Sequence, residues 1–218
     1  MNLKKGDFCS CGSGKRYKNC CLKDFLEHKA LWKNNFLELT NDLPNAQKLR
    51  DVFYVTYDFM QDNNWVGACH TISTLQYILL CEIGLNPSLY TGVVQTEQGR
   101  FDHSWIELDD KVYDITIENS LVGKFSNATI SSHDIMTLKS TSITYGNNGP
   151  LDPVASKIVS TPITKYLNDF SKSQEIKQLP FLKAGLWSVL IKLGKDIGLK
   201  LDTKELQNKY ANIYRLTK

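Results

Sequence analysis

No stretch of this 218-residue chain reaches the ~18 uncharged apolar residues that a membrane-crossing helix needs. The opening residues Met1-Asn2-Leu3-Lys4-Lys5-Gly6-Asp7 carry charge but no apolar signal core behind them, so neither a spanning helix nor a secretory leader is expected. A phosphate-cradling glycine loop, an internal repeat and a low-complexity tract are all missing, which sets aside P-loop and solenoid readings. Cysteine is sparse at six residues, and four of the six stand in one cluster. That pattern is wrong for a disulfide frame and right for metal binding in a reducing compartment, so a cytoplasmic protein is expected. Proline is sparse too, yet Pro150, Pro153 and Pro162 fall close together after Gly146-Asn147-Asn148-Gly149, which reads as a linker or an irregular wrap.

What the chain does have is 42% hydrophobic residues, enough for an ordinary core, in one domain with extensions or in two small units. The net charge of +3 hides a division. Residues 1–33 hold eight Lys/Arg against three Asp/Glu, residues 34–149 six against fourteen, and residues 150–218 twelve against six. The middle is acidic and both ends are basic. Basic ends are usually solvated helix faces, and they are also candidates for contact with ribosome, nucleic acid or an acidic partner.

The cluster Cys9-Ser10-Cys11-Gly12-Ser13-Gly14-Lys15-Arg16-Tyr17-Lys18-Asn19-Cys20-Cys21 is the most specific pattern in the sequence. Four soft thiolates suit a closed tetrahedral zinc site with no open coordination position. Gly12 and Gly14 permit a tight loop, and Lys15, Arg16 and Lys18 offset the negative charge of four thiolates. So short a segment cannot build a core, so the metal would supply its folding energy. The stretch resembles the SEC-C zinc motif almost residue for residue. The resemblance implies structural Zn²⁺ held by Cys9, Cys11, Cys20 and Cys21, in a knuckle of bacterial type that docks protein partners; in the bacterial translocase motor it contacts a chaperone and the ribosome.

A second pattern runs over residues 67–114. Cys69 opens an apolar run in which Ile72, Leu75, Leu79 and Ile83 recur at helical spacing, with Gly84 as the stop. A helix start favours an anion and therefore a thiolate. Residues 88–95, 101–108 and 111–117 read as three strands joined by tight turns. If Leu108 faces Lys111, Trp105 faces Asp114, and His103 lies diagonally across on the same face, within side-chain reach. Cys69 as nucleophile, His103 as general base and Asp114 as the group that orients it is the arrangement of a thiol enzyme. The Cys69 amide is one candidate oxyanion donor, with Asn63, Asn64 or the Trp65 indole as the second. His70 and Cys81 read as structural.

The cysteine at a helix start, His103-Ser104-Trp105-Ile106-Glu107 and the following Asp114-Ile115-Thr116 resemble the transglutaminase-like superfamily of papain-type cysteine enzymes, over about a quarter of the chain. Many members follow the aspartate with Pro-Thr, where this chain has Ile115-Thr116. The resemblance implies a papain-like fold and a Cys–His–Asp triad. The superfamily spans peptidases, amidases, transglutaminases, acyltransferases and inactive members, so it does not choose an activity.

Elsewhere, residues 22–39 read as an amphipathic helix with Phe25, Leu26, Trp32, Phe36 and Leu39 inward, and residues 46–60 as a second with Leu49, Val52, Phe53, Tyr57 and Met60 on one face. β-like pieces are expected near residues 120–125 and 140–145, a helix start at His133-Asp134, and a short helix from Thr161-Pro162. A long helix over residues 179–201 follows, and a last one opens at the capping box Asp202-Thr203-Lys204-Glu205 and carries Leu206, Tyr210 and Ile213.

The expected architecture is therefore α+β: a zinc knuckle at residues 1–21, a papain-like (transglutaminase-like) core at 22–149, and a linker with C-terminal helices at 150–218. The expected function is a thiol-dependent hydrolase or acyltransferase acting on an amide or thioester carbonyl of a protein or peptide. The alternative is a catalytically silent adaptor that binds a protein or the ribosome through its zinc motif.

Overall fold

In the computed structural model, which describes residues 4–123 and 126–218, three helices precede the first strand of a mixed α+β fold. α1 (Cys21–Thr40) and α2 (Ala46–Asp62) pack through aromatic rings. Trp32 stacks on Tyr57 with centroids 3.9 Å apart, and Phe36 meets Phe53. All five residues expected on the inner face of α2 are buried. On α1 the inward set is narrower than expected, because Leu26 is exposed. At ~100° per residue it stands about 120° round the helix from Trp32.

α3 (Cys69–Glu82) is the apolar helix expected after Cys69, with Ile72, Leu75 and Leu79 fully buried. It lies between α2 and an antiparallel hairpin of β1 (Ser88–Thr96) and β2 (Gly99–Leu108). β3 (Lys111–Tyr113) pairs with β2 in the expected register, Leu108 opposite Lys111. The strand stops four residues earlier than expected. At Asp114 the chain leaves β2, exchanges two backbone hydrogen bonds with Thr129, and enters a 3-10 turn over Thr116–Asn119.

β4 (Thr129–Ile130) and β5 (His133–Asp134) form a small ribbon, turned by Ser131 and Ser132 in the left-handed region. His133-Asp134 is thus a strand, not a helix start. Of the expected β-like piece at 120–125, Ser120 and Gly123 form a single bridge; Phe125 lies outside the described residues. β6 (Thr144–Tyr145) pairs with the outer edge of β1.

The proline-rich stretch contains α4 (Pro153–Val159), capped by Asp152, and leads into α5 (Ile163–Lys172) and the single turn α6 (Gln174–Lys177). The long helix expected over 179–201 is shorter, α7 (Leu186–Asp196). Pro180 opens a 3-10 turn, and Gly185 at φ +80 separates that turn from the helix. α8 (Thr203–Lys209) is capped as expected by Asp202, which accepts from the Lys204 and Glu205 amides. It ends before Ile213, and the tail returns as β7 (Leu216–Thr217), parallel to β1.

The sheet order is β3-β2-β1-β6, with β7 also on β1. One continuous core holds Trp32, Leu75 and Ile106 together with Leu167, Leu186 and Leu190, so residues 150–218 are packed into the same body as the strands. A smaller core on the other sheet face gathers Val94, Trp105, Ile117 and Ile143. Among the described residues no helix is long and apolar enough to cross a membrane.

Glu118 ties the 3-10 turn to this frame. Its Oε1 accepts from Trp32 Nε1 at 3.1 Å and from the Ala128 amide at 3.0 Å. Burial raises its carboxyl to about 7, against those hydrogen bonds. A raised folded pKa means stability that is full below the ordinary carboxyl range and is lost as pH climbs to about 7. Glu118→Gln mimics the protonated acid, since one oxygen still accepts both bonds. We expect it to raise the melting temperature at pH 8 and leave it unchanged at pH 4, as read by thermal denaturation; a lower melting temperature at pH 8 would contradict this.

Candidate active site and cysteine cluster

The four N-terminal cysteines converge. Phe8 and Arg16 pair as a one-bridge ribbon, the Cys9 amide donates to the Lys15 carbonyl at 2.8 Å, and Arg16 stacks on the Phe8 ring. Gly12 and Gly14 both take left-handed φ, which returns the loop on itself. Cys20 and Cys21 arrive at the start of α1. The four sulfurs all lie within 4.8 Å of one another, and Cys11 Sγ is 3.5 Å from Cys20 Sγ. Metal–sulfur bonds of ~2.3 Å in a tetrahedron place sulfurs roughly 3.8 Å apart. Cys9, Cys11, Cys20 and Cys21 therefore form a cluster geometrically suited to a metal ion.

Cys69 is the first residue of α3. Gly67, at φ +72, donates its amide to the Asn119 carbonyl at 2.8 Å and swings the chain into the helix. A Cβ at position 67 would meet Leu121 Cγ at 2.7 Å, so the turn takes glycine on both conformational and steric grounds. As the first helical residue, Cys69 has an amide with no carbonyl one turn back to bond. Of the expected oxyanion partners, Asn64 and Trp65 line the cleft beside Cys69. Asn63 donates its side-chain amide to the Phe59 carbonyl at 2.7 Å.

His103 and Asp114 are buried and bonded. His103 Nε2 donates to Asp114 Oδ2 at 2.7 Å. With Nε2 committed, Nδ1 is the ring nitrogen left for a second partner, and Cys69 lines the same cleft as the imidazole. The Asp114 carboxylate is held from every side. Its Oδ1 accepts from the Thr116 hydroxyl at 2.7 Å and the Thr116 amide at 2.9 Å, and its Oδ2 accepts from Tyr145 Oη at 3.0 Å. Burial works to raise the Asp114 carboxyl, but the His103 charge and these donors hold it below the usual range. Burial likewise works to neutralise His103, and the charges of Asp114 and Cys69 outweigh it, so the imidazole is held protonated above its ordinary range.

Neighbouring groups complete the setting. His70 is kept neutral, first by burial and then by the Arg215 and His103 charges, which push it down to about 3; its Nδ1 meets Ser104 Oγ at 2.7 Å. Cys81 is partly buried, packed against the core, and burial raises its thiol. Thr116, Tyr145 and Arg215 were not singled out from sequence. Thr116 sat beside Asp114 as part of a departure from the Pro-Thr habit, which was its only signal. Tyr145 is 31 residues from Asp114 and carried none. Arg215 is almost fully buried, with Nη2 donating to the His70 carbonyl at 3.2 Å and Thr74 Oγ1 at 2.6 Å, and its guanidinium lies 4.3 Å from the centre of the Tyr166 ring. It holds the first turn of α3 from below.

Cys69 and His103 open onto a cleft of about 860 Å³. Trp65, Val66 and Leu121 line it, together with Val154 and Ile158 from α4 and Phe170 from α5. No protein-family model, curated protein or solved structure matches the chain.

Asp114→Asn places an amide nitrogen where Oδ2 accepts from His103, which favours the tautomer with Nε2 accepting and removes the larger of the two charges that keep the ring protonated. Burial then dominates, and the His103 titration should move below the ordinary imidazole value of ~6.5, as read by histidine nitrogen NMR. Stability from the lowered Asp114 is lost as pH falls below ~4, and that from the raised His103 is lost as pH rises above ~6.5. The variant should therefore lose most melting temperature between those two values. A loss that keeps growing above neutrality would contradict the assignment.

Proposed function

We propose that this protein is a thiol-dependent hydrolase or acyltransferase of papain-like, transglutaminase-like type, acting on an amide or thioester carbonyl. The observation that carries the reading is the meeting of Cys69 and an Asp114-bound His103 on the wall of one cleft. A buried imidazole held protonated beside a thiol at a helix start favours a thiolate–imidazolium pair, the reactive form of a cysteine nucleophile. In this reading Cys69 attacks the carbonyl carbon, and the amide of Cys69, with Asn64 or Trp65, receives the developing oxyanion. His103 passes its proton to the leaving group, then takes one from the water or amine that resolves the acyl-enzyme. Asp114 keeps Nε2 protonated and the ring aimed, and Thr116 and Tyr145 fix Asp114.

The cysteine cluster takes Zn²⁺ in a closed structural site of SEC-C type, on the chemistry of four thiolates spaced for tetrahedral bonds. When bound, the ion supplies folding energy to the loop. Partner docking by the knuckle, contact of the basic ends with ribosome or nucleic acid, and a place in the reducing cytoplasm accompany this reading.

Mass spectrometry after limited iodoacetamide treatment at about pH 6 should find Cys69 modified ahead of Cys81, and His103→Ala should slow that modification at least tenfold. Cys69→Ala should keep the circular dichroism and melting temperature of the parent while losing all turnover. A folded, metal-loaded protein whose Cys69 stays unreactive would instead leave the adaptor reading. Metal analysis should return about one zinc per chain, and Cys20→Ser should abolish tight binding and loosen residues 4–20 to proteolysis without unfolding the body.

A further inference from the structure

We infer that the cleft beside Cys69 selects acyl donors that carry an apolar chain, an inference that rests on the thiol-enzyme reading above. The first ground is the chemistry of the walls. They are alkyl and aryl side chains from separate parts of the fold, Trp65, Val66 and Leu121 together with Val154, Ile158 and Phe170. Leu121 is 82% exposed, Val154 65% and Val66 40%, so the mouth of the cleft is an apolar rim in water.

The second ground is what the polar residues of the cleft are doing. Thr71 Oγ1 is 2.8 Å from Tyr166 Oη, and His70 Nδ1 is engaged with Ser104. Ser120 donates to the Gly123 carbonyl at 2.9 Å. Asp102 accepts the Asp152 amide at 2.7 Å, and Asp152 caps α4 through the Ala155 amide at 2.7 Å. These groups are engaged within the fold. The polarity left for a substrate lies at Cys69, His103 and the helix-start amide, with the exposed Asn64 and the second carboxylate oxygens of Asp102 and Asp152 as the remaining polar lining. A polar head is recognised where the chemistry happens, and the remainder of the substrate meets hydrocarbon. The third ground is size. A volume of about 860 Å³ falls within the ~300–1,000 Å³ of small-molecule sites.

The step balances with water as co-reactant. Cys69 Sγ bonds to the carbonyl carbon, the bond to the leaving group breaks, and His103 supplies that group's proton. Water then bonds to the same carbon and gives its proton to His103 as the carbon–sulfur bond breaks, which releases the carboxylic acid and restores the thiolate.

The test measures the second-order rate of Cys69 modification by iodoacetamide and by its N-butyl, N-hexyl and N-octyl derivatives, each divided by its rate with glutathione. The rate should climb by up to about fourfold per methylene until the cleft is filled. Val154→Asp places a charge on the rim at an exposed position in the first turn of α4, where acidic residues suit a helix. It should cut the octyl-to-parent ratio at least tenfold. A flat series, an unchanged ratio in Val154→Asp, or faster reaction of iodoacetyl-diglycine than of the octyl probe would overturn the inference; the last result would point to recognition of a peptide main chain. The underlying reading is scored separately. His103→Ala slows every probe if His103 activates Cys69, and leaves iodoacetamide unaffected if it does not, whatever the slope with chain length.

Discussion

The buried carboxylate of Asp114 is the constraint on which the rest of the site depends. An ion in that position is tolerated only when its oxygens are satisfied, and here one oxygen takes the Thr116 amide and hydroxyl and the other takes His103 and Tyr145. Meeting those demands dictates the surrounding backbone. The chain must leave the sheet at Asp114 and turn over Thr116–Asn119, and that turn offers the Asn119 carbonyl that holds Gly67 and launches α3. The position of Cys69 is thus set from the aspartate, through the turn and the glycine, as well as through the helix it begins.

The same logic explains two neighbours of opposite character. His103 and His70 are both buried, yet one is held protonated and the other neutral. The difference is company. His103 has a carboxylate and a thiol beside it, whereas His70 has a serine hydroxyl and lies near two cationic groups, Arg215 and His103. Two imidazoles lining the same cleft as one thiol, one adjacent to it in sequence and one 34 residues on, therefore divide into a protonated ring and a neutral one.

Much of this was legible in the chain itself because the signals were local. Period-3.6 spacing placed α2 and α3, β-branched and aromatic runs bounded by tight turns placed β1 and β2, and the count from Leu108 to Lys111 set the register that puts His103 near Asp114. The cysteine loop was legible because its four cysteines lie within thirteen residues. What failed to show was what depends on distant partners. The third strand reads as continuous through residue 117 in apolar and β-branched residues, and only the pairing of Asp114 with Thr129 ends it. The helix over 179–201 looked unbroken because leucine spacing is preserved across Gly185. Tyr145, Arg215 and the cleft lining from α4 and α5 come from residues whose local surroundings say nothing of the site.

Arg215 carries a consequence for the order in which the molecule comes into being. During synthesis the segment bearing Cys69 and His103 emerges well before residue 215, and the walls from α4 and α5 follow in between. Until Arg215 arrives, the first turn of α3 lacks the guanidinium that binds the His70 carbonyl and Thr74, a contact spanning 145 residues of sequence. Closing so long a loop is slow and late in folding. The nascent chain thus passes through a period in which the thiol is present but its helix is not yet clamped, and competence of the site is a property of the finished fold.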